Sequence, residues 1–304
     1  MKDLIPKYQC NKVALLSDIH SNYYGLKACL EDAEKEGADC FIFLGDYISG
    51  LADSVKTLDL VYEISNRYPS IFIRGNRERY MLEQQAGLSN LCPGSNTGSF
   101  LFTYNQLREK DLSFFNTLPI SRISEINGVT IELAHATNGN DRVHFEAKDN
   151  KIQEVFSKMR ASYLLTGHSH KQYICTENGK TIINPGSVGI PQGGSWHSQY
   201  ALLYVSNGIV HSILRQVPYD MESLICAQFQ SGLVDIGGYW AIADLYGAMT
   251  GQEYTKNLLT QLYILSDENK NILNDESEWE RIAAKMGMCF TEKRVLEFWR
   301  HSAI

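Results

Sequence analysis

Three short apolar runs, each followed at once by a carboxylate, an imidazole or an amide, constrain this chain most. They cover residues 13–17, 40–44 and 70–74. Between them lie two stretches with apolar residues at helical spacing. The first covers residues 22–36 and carries Leu26, Cys29, Leu30 and Ala33, with Gly37 as a stop signal. The second covers residues 53–67. Strand, helix, strand, helix, strand requires crossover connections, hence a largely parallel sheet. Such strands are covered on both faces, which accounts for apolar runs that do not alternate.

Further along, the pattern changes. Residues 87–99 are rich in Gly, Ser and Asn and predict a loop, with helical spacing resuming up to Leu118. Asn127-Gly128, Asn178-Gly179 and Asn207-Gly208 each separate strand-like segments. Asn-Gly supplies the positive φ angles of a type I′ turn, so three hairpins are expected. They add antiparallel strands to the parallel core. The fold class that follows is α/β, a two-sheet β-sandwich flanked by helices. After Pro218 the strand signals stop. The expected division is a catalytic domain over residues 1–217 and a helical C-terminal extension over 218–304. Helices are expected over 257–265 and 277–286, and Gly237-Gly238-Tyr239-Trp240 reads as a plain turn, with a mobile or pocket-facing segment as the alternative. The extension is either a packed helical subdomain or a lid or dimer contact.

Composition narrows the function classes. The 304 residues carry 28 Lys plus Arg against 35 Asp plus Glu, a net charge of −7. An acidic surface offers no general attraction to polyanions, so nucleic acid is a disfavoured partner and a small phosphorylated substrate fits better. Seven cysteines, scattered and without a C-x-x-C, argue against a disulfide framework and a structural zinc knot. Most are expected to be small buried hydrophobes. Residues 1–11 are polar and carry no signal-like apolar run. No segment approaches the roughly 20 apolar residues of a membrane span. The expected address is the cytoplasm, with no membrane partner and homo-oligomerisation left open.

The chemistry gathers where strands end. The first run ends in Ser17-Asp18-Ile19-His20, the second in Gly45-Asp46, the third in Gly75-Asn76-Arg77-Glu78. The segment 129–134 delivers His135, and 163–166 delivers Gly167-His168-Ser169-His170. The carboxyl edge of a parallel sheet is where ligands bind. Hard or borderline divalent cations take oxygen and imidazole donors, and a carboxylate can bridge two of them. Asp18 and His20, two apart on an extended chain, would point to one side and grip one ion, and His168 and His170 repeat that logic. The preceding glycines allow close backbone approach. A lone Asp-x-His or His-x-His is usually structural, and a Gly-Asp after a strand is often a turn. The joint occurrence at five strand ends is what points to a metal centre. Of the other histidines, His211 and His301 read as surface or core residues, while His144 and His197 sit in loops within reach of a pocket.

In order, these blocks match D-x-H, G-D, G-N-x-[DE], a strand-end His and G-H-x-H. The chain thereby resembles the calcineurin-like metallophosphoesterase superfamily over residues 12–217. The stretch from Leu16 to Leu30, with Ser17-Asp18-Ile19-His20-Ser21-Asn22, and the run Asn184-Pro185-Gly186-Ser187-Val188-Gly189 look like its bacterial and archaeal small-phosphodiesterase branch, which includes diadenosine-tetraphosphatase-like proteins. The resemblance implies a four-layer α/β/β/α sandwich and two divalent ions. Asp18, His20, Asp46 and His170 would hold the first. Asp46, Asn76, His135 and His168 would hold the second, with Asp46 bridging. Manganese is the first expectation, with iron, zinc, nickel and cobalt also suited to these donors. Asp46, Asn76, Arg77 and His135 form the expected catalytic set. The expected reaction is hydrolysis of a phosphodiester or phosphomonoester by a metal-bridging hydroxide, with ions roughly 3.5–4 Å apart.

One departure stands out. The family pattern has His where this chain has Arg77. Arg stays protonated and cannot act as a general acid. It can neutralise phosphoryl charge. Monoesters with poor leaving groups are thereby in question. Two other readings stay open: a nuclease of the same superfamily, and a metal-binding scaffold with little activity.

Overall fold

The computed structural model describes residues 5–137, 139–266 and 271–302. The start of the polar N-terminal segment, residues 1–4, lies outside the described residues. The elements run β1 (Lys7–Tyr8), β2 (Lys12–Leu16), α1 (Tyr23–Lys35), β3 (Cys40–Phe43), α2 (Ser54–Arg67), β4 (Ser70–Phe72) and α3 (Asn76–Gln85). Then follow α4 (Gly98–Gln106), α5 (Glu109–Thr117), β5 (Ser121–Ile126), β6 (Val129–Ala134), α6 (Ile152–Lys158), β7 (Tyr163–Leu165), β8 (Gln172–Glu177) and β9 (Lys180–Pro185). The chain continues with β10 (Ser198–Ser206), β11 (Ile209–Val217), α7 (Met221–Gln230), α8 (Leu233–Thr250), α9 (Tyr254–Ser266), α10 (Glu276–Lys285) and α11 (Glu292–Ser302).

Two mixed sheets stack. One has the order β11-β10-β2-β3-β4, the other β1-β5-β6-β7-β9-β8. Strands β2, β3 and β4 pair in parallel, as their crossover helices require. The hairpins β5–β6, β8–β9 and β10–β11 are antiparallel. At each turn the Asn and the Gly both have positive φ, between 48° and 80°, as a type I′ turn demands.

The unbroken apolar runs are divided by strand alternation. Val13, Leu15 and Ile42 point between the sheets, onto Ile131, Leu133, Leu165 and Ile183. Ala14, Leu16, Phe41 and Phe43 point the other way, under Leu26, Leu30, Leu58 and Val61 of α1 and α2. The six-stranded sheet turns Ala134, Leu164 and Ile182 onto Val155 and Phe156 of α6. The result is the α/β/β/α layering. Truncating a residue such as Leu15 to Ala would cost about 3 kcal/mol in lost burial and cavity formation.

The segment after Val217 is helical and forms its own cluster around Trp279, Leu245 and Tyr246, which also takes in Leu51 and Ile190 from site loops. The expected turn at Gly237-Gly238 is instead a break inside α8: Gly238 has φ 54° and ψ −139°, with helix on both sides. Its close approach to Ser95 leaves no room for a side chain. The Tyr239 N–H freed by the break donates to Ser95 Oγ at 2.9 Å. Cysteine burial is less general than expected. Cys10, Cys29 and Cys40 are buried, Cys92 is exposed, and the other three are half-buried; all are free. Among the described residues no helix is long and apolar enough to cross a membrane.

Candidate metal centre

The candidate ligands meet at the carboxyl ends of β2, β3, β6 and β7 and at the N-terminus of α3. Two groups of donors lie with their atoms within 4.8 Å of one another: Asp18, His20 and His170, and Asp18, Asp46 and His135. Asp18 Oδ1 is 3.9 Å from His20 Nε2, 3.4 Å from His170 Nε2 and 3.8 Å from His135 Nε2. Asp46 Oδ2 is 3.8 Å from His20 Nε2 and 3.5 Å from His135 Nε2. Asp18 belongs to both groups, and Asp46 also faces both. Asn76 and His168 lie beside them, lining the same cavity as His170 and Arg77. The sequence expectation of an extended Asp18-x-His20 is not how the chain does it. Asp18, His20, Asp46, His168 and His170 all have φ between 50° and 64°. The left-handed region is costly for such residues, and strain of this kind clusters at functional sites.

The surrounding loops hold these side chains in place. His20, His135 and His170 each place Nδ1 on a backbone carbonyl: Ser49 at 3.1 Å, Leu44 at 2.8 Å and Ile190 at 2.7 Å. That fixes each ring and turns Nε2 inward, the arrangement of a metal-binding imidazole. Asp18 Oδ2 accepts from Ser17 Oγ at 2.6 Å and from the His168 N–H at 2.9 Å. Asp46 Oδ1 accepts from the Arg77 N–H at 2.9 Å. Glu78, fully buried, accepts the N–H groups of Asp46, Tyr47 and Gly75 at 3.0, 2.8 and 2.8 Å. It ties the β3 loop to the start of α3. The run from Asn184 to Gly189 braces the other side: Ser187 Oγ and the Gly189 N–H donate to Asp18 O at 2.7 and 2.9 Å. Gly75 and Gly167 permit the close packing expected of them. A side chain at Gly75 would strike Asp46, and one at Gly167 would strike Ser17 and Asp18.

The atoms left over show what the centre suits. Asp18 Oδ1, Asn76 Oδ1 and His135 Nε2 are buried without a hydrogen-bond partner. Unsatisfied buried polar atoms are costly and rare, and here two of them, Asp18 Oδ1 and His135 Nε2, lie 3.8 Å apart. Burial opposes ionisation of Asp18 and Asp46. Even so, His170 and His135 hold Asp18, and His135 and His20 hold Asp46, well below the usual carboxylate range. Burial likewise opposes charge on His135, but Asp46 and Asp18 push it up to about 10. His170 is raised against its burial by Asp18. Burial and the charge of His170 press His20 down to about 3, and burial and His135 press His168 down to about 4. The two carboxylates therefore hold protons on neighbouring imidazoles as their counter-charge. Divalent cations would supply the same charge and satisfy the orphaned donors.

Arg77 sits at the mouth of the centre. Its Nε is 3.7 Å from Asp46 Oδ2, and its guanidinium lies 5.0 Å from the centre of the Phe100 ring. It borders a cavity of about 540 Å³ whose far wall comes from the C-terminal helices: Trp240, Asp244 and Gly247 of α8, and Tyr254, Lys256 and Tyr263 of α9. Trp240 belongs to the segment that the sequence offered as an alternative pocket-facing one; nothing in the sequence pointed to the other wall residues individually, because they belong to no spaced motif. The signal available was the helical period: 240, 244 and 247 fall on one face. Of the remaining histidines, His144 pairs with Glu146 at 3.1 Å, its ring 6.2 Å from that of His168. His197 packs against Trp196, His211 is exposed on β11, and His301 is exposed and bonds Glu297 O.

A sequence model of the calcineurin-like phosphoesterase superfamily domain matches residues 12–208. An uncharacterized protein of Methanocaldococcus jannaschii is 25% identical over 227 residues, covering 69% of this chain and 88% of its own length. A hypothetical protein of Pyrococcus horikoshii superposes with a TM-score of 0.67 at 15% identity, over 80% of this chain and 99% of its own. A metallophosphoesterase of Sphaerobacter thermophilus superposes with a TM-score of 0.61 at 20% identity, over 74% of this chain and 97% of its own. At such identities the solved structures speak for the fold alone. The sequence match spans well over half of the chain and contains every candidate ligand, so the chain belongs to the calcineurin-like phosphoesterase superfamily.

Proposed function

We propose that this protein is a metal-dependent phosphoesterase that hydrolyses a small phosphodiester or phosphomonoester at a dinuclear centre. The observation that carries the proposal is the approach of Asp18 Oδ1 to His135 Nε2 at 3.8 Å, both buried and without a hydrogen bond, at the two donor groups that Asp18 shares; Asn76 Oδ1 is likewise buried and without one. Asp18, His20, Asp46 and His170 would hold one ion, and Asp46, Asn76, His135 and His168 the other. Bound there, divalent ions supply a Lewis acid for the phosphoryl oxygens and lower the pKa of water. Manganese is the first candidate, and iron, zinc, nickel and cobalt suit the same donors.

The chain's own residues do the rest. The orientation of the His20, His135 and His170 rings by backbone carbonyls removes ring freedom before substrate arrives. Arg77, held beside Asp46 and against Phe100, presents a permanent positive charge to the phosphoryl group and stabilises charge that develops there. The helical wall narrows access to the centre, favouring a small substrate over a polymer. A net charge of −7 weighs the same way against a nuclease. A scaffold role would leave the converging donors without a use.

The test is hydrolysis of bis-p-nitrophenyl phosphate and p-nitrophenyl phosphate with added Mn²⁺ and with chelator. Metal-dependent turnover of either ester, absent with chelator, is the expected result. Bound metal with no turnover of any phosphate ester would overturn the reading in favour of a scaffold.

A further inference from the structure

Helix α9 faces two ways. Leu258 and Leu262 are fully buried in the cluster around Trp279. Lys256, Leu259, Thr260 and Tyr263 share another face by helical spacing, and all four line the cavity that also holds Asn76, His168 and His170. Tyr263 is 55% exposed. The other Phe, Tyr and Trp rings on this cavity are half-buried, and their neighbours account for them. The guanidinium groups of Arg79 and Arg142 lie 4.9 and 5.3 Å from the centre of the Tyr80 ring, and that of Arg77 lies 5.0 Å from the centre of Phe100. Trp240 meets Phe100 and Trp279, with ring centres 5.5 and 6.3 Å away. Tyr254 meets Tyr246 at 5.2 Å. Tyr263 is therefore the ring that the cavity leaves most open.

The charge on the helical side is balanced. Lys256 Nζ is 3.0 Å from Glu253 Oε2, and the nearby Lys171 Nζ is 3.0 Å from Glu253 Oε1 and 2.8 Å from Glu146 Oε1. Among the described residues lining the cavity, the Arg and Lys side chains are Arg77, beside Asp46, and this compensated Lys256. Uncompensated positive charge thus lies at the candidate metal centre and not along α9. That suits a ligand with one phosphate at the centre and an uncharged arm along the helix; a chain of phosphates would meet no surplus cation there. An open tyrosine beside Leu259, with Thr260 and Lys256 on the same face, suits a planar arm with apolar faces and a polar edge. A nucleobase stacking on an aromatic ring makes this kind of contact. The cavity of about 540 Å³ is of the size that holds one small ligand. Resting on the phosphoesterase reading above, we propose that this face of α9 is a nucleobase subsite, so that the substrate is an ester of a nucleoside monophosphate with its phosphate at the metal centre and its base against Tyr263. Tyr263 is then a specificity-determining residue that lies outside residues 12–208, the part of the chain matched by the family model.

The experiment is calorimetric titration of the Mn²⁺-loaded full chain with AMP and with ribose 5-phosphate, which share a phosphate and a sugar and differ in the base. Wild type should bind AMP about 10-fold more tightly than ribose 5-phosphate, as stacking of one base provides. Tyr263→Ala should bring the two ligands within about twofold of each other while leaving the affinity for ribose 5-phosphate unchanged, and Tyr263→Phe, which keeps the ring, should retain the preference. Because the replaced ring is more than half exposed, the variant keeps its packed core. Equal binding of the two ligands by wild type, or binding of neither, overturns the proposal. So does a preference that survives Tyr263→Ala, or a loss in that variant that is the same for both ligands, which is what a merely structural tyrosine would give. The two readings fail separately. Metal-dependent turnover of bis-p-nitrophenyl phosphate without a preference for AMP removes the subsite and leaves the phosphoesterase; a Tyr263-dependent preference without turnover of any ester keeps the subsite and removes the phosphoesterase.

Discussion

The strand-end loops and the C-terminal helices face each other across one cavity, yet they are built on opposite principles. In the loops, each functional residue is fixed within a few residues of a buried strand. His135 follows β6 directly, and Asp46 follows β3 by three residues. Asp46 and its neighbours in the site have strained backbones, and their side chains are locked by hydrogen bonds. In the helices the wall residues lie in regular structure, and their position depends on how α8 and α9 dock. Rigid local geometry suits donors that must meet within a few ångströms. A docked helical face suits residues that shape access, where small displacements are tolerated.

Substitutions on the two sides should therefore fail differently. The largest effect belongs to Asp46→Asn, which removes one charge facing both ligand groups. Metal-dependent turnover should fall by more than about 100-fold, with loss of bound metal on elemental analysis. Glu78→Gln comes next. It weakens the acceptor that joins three backbone N–H groups, and metal affinity should drop by about 10- to 100-fold while the fold survives, as titration calorimetry would reveal. Retained affinity would mean the β3 and α3 loops hold themselves.

Acidity gives a third, intermediate contrast. Without metal, His135 is raised from 6.5 to about 10, so its contribution to stability is complete below pH 6.5 and lost as pH rises through about 10. His20 and His168 are lowered to about 3 and about 4, so their contribution is present above pH 6.5 and lost as pH falls through those values. Thermal melts in chelator should therefore fall on both sides of neutrality. Added metal should remove the alkaline fall, because ligation takes over the role of the His135 proton. An alkaline fall that persists in metal would count against His135 as a ligand.

On the helical side the expected changes are smaller and appear in KM. Tyr254→Ala should raise KM by up to about tenfold with metal content intact, since it removes wall surface and no donor. Smallest is Lys171→Met. Lys171 joins Glu146 and Glu253 at 2.8 and 3.0 Å, tying a loop before β8 to the start of α9. Such partly exposed pairs contribute under about 1 kcal/mol, so stability should barely move. A large loss in that variant would show that helix docking is as tightly specified as the strand-end loops.

Much of the fold is legible in the sequence alone. The runs at 13–17 and 40–44 form β2 and β3 because an unbroken apolar run of that length fits a strand covered on both faces. The three Asn-Gly pairs form hairpin turns because few other residues accept positive φ twice in succession. Less is legible where the signal is not local. Helix α3 begins at Asn76 itself, so the candidate ligand is a helix N-terminal residue rather than part of a free loop. Helix α6 spans only seven residues, too few for a helical period to declare itself. The break at Gly238 looks like a turn in the sequence because a Gly-Gly pair reads the same whether or not helix resumes beyond it.

The sequence by itself determined which residues gather. A strand end can deliver only the few residues that follow it, so D-x-H, G-D, G-N, a lone His and G-H-x-H had to converge once the strands lay side by side. It also determined that Arg77 stands where a proton donor is expected. What only the tertiary structure decided is the backbone that brings Asp18 and His20 together, a left-handed turn rather than an extended strand, and the identity of the opposite wall. Asp244 belongs to no motif or repeat. It reaches the cavity because α8 breaks at Gly238 and packs its 240, 244 and 247 face over the site, a placement set by long-range packing rather than by any neighbouring residue.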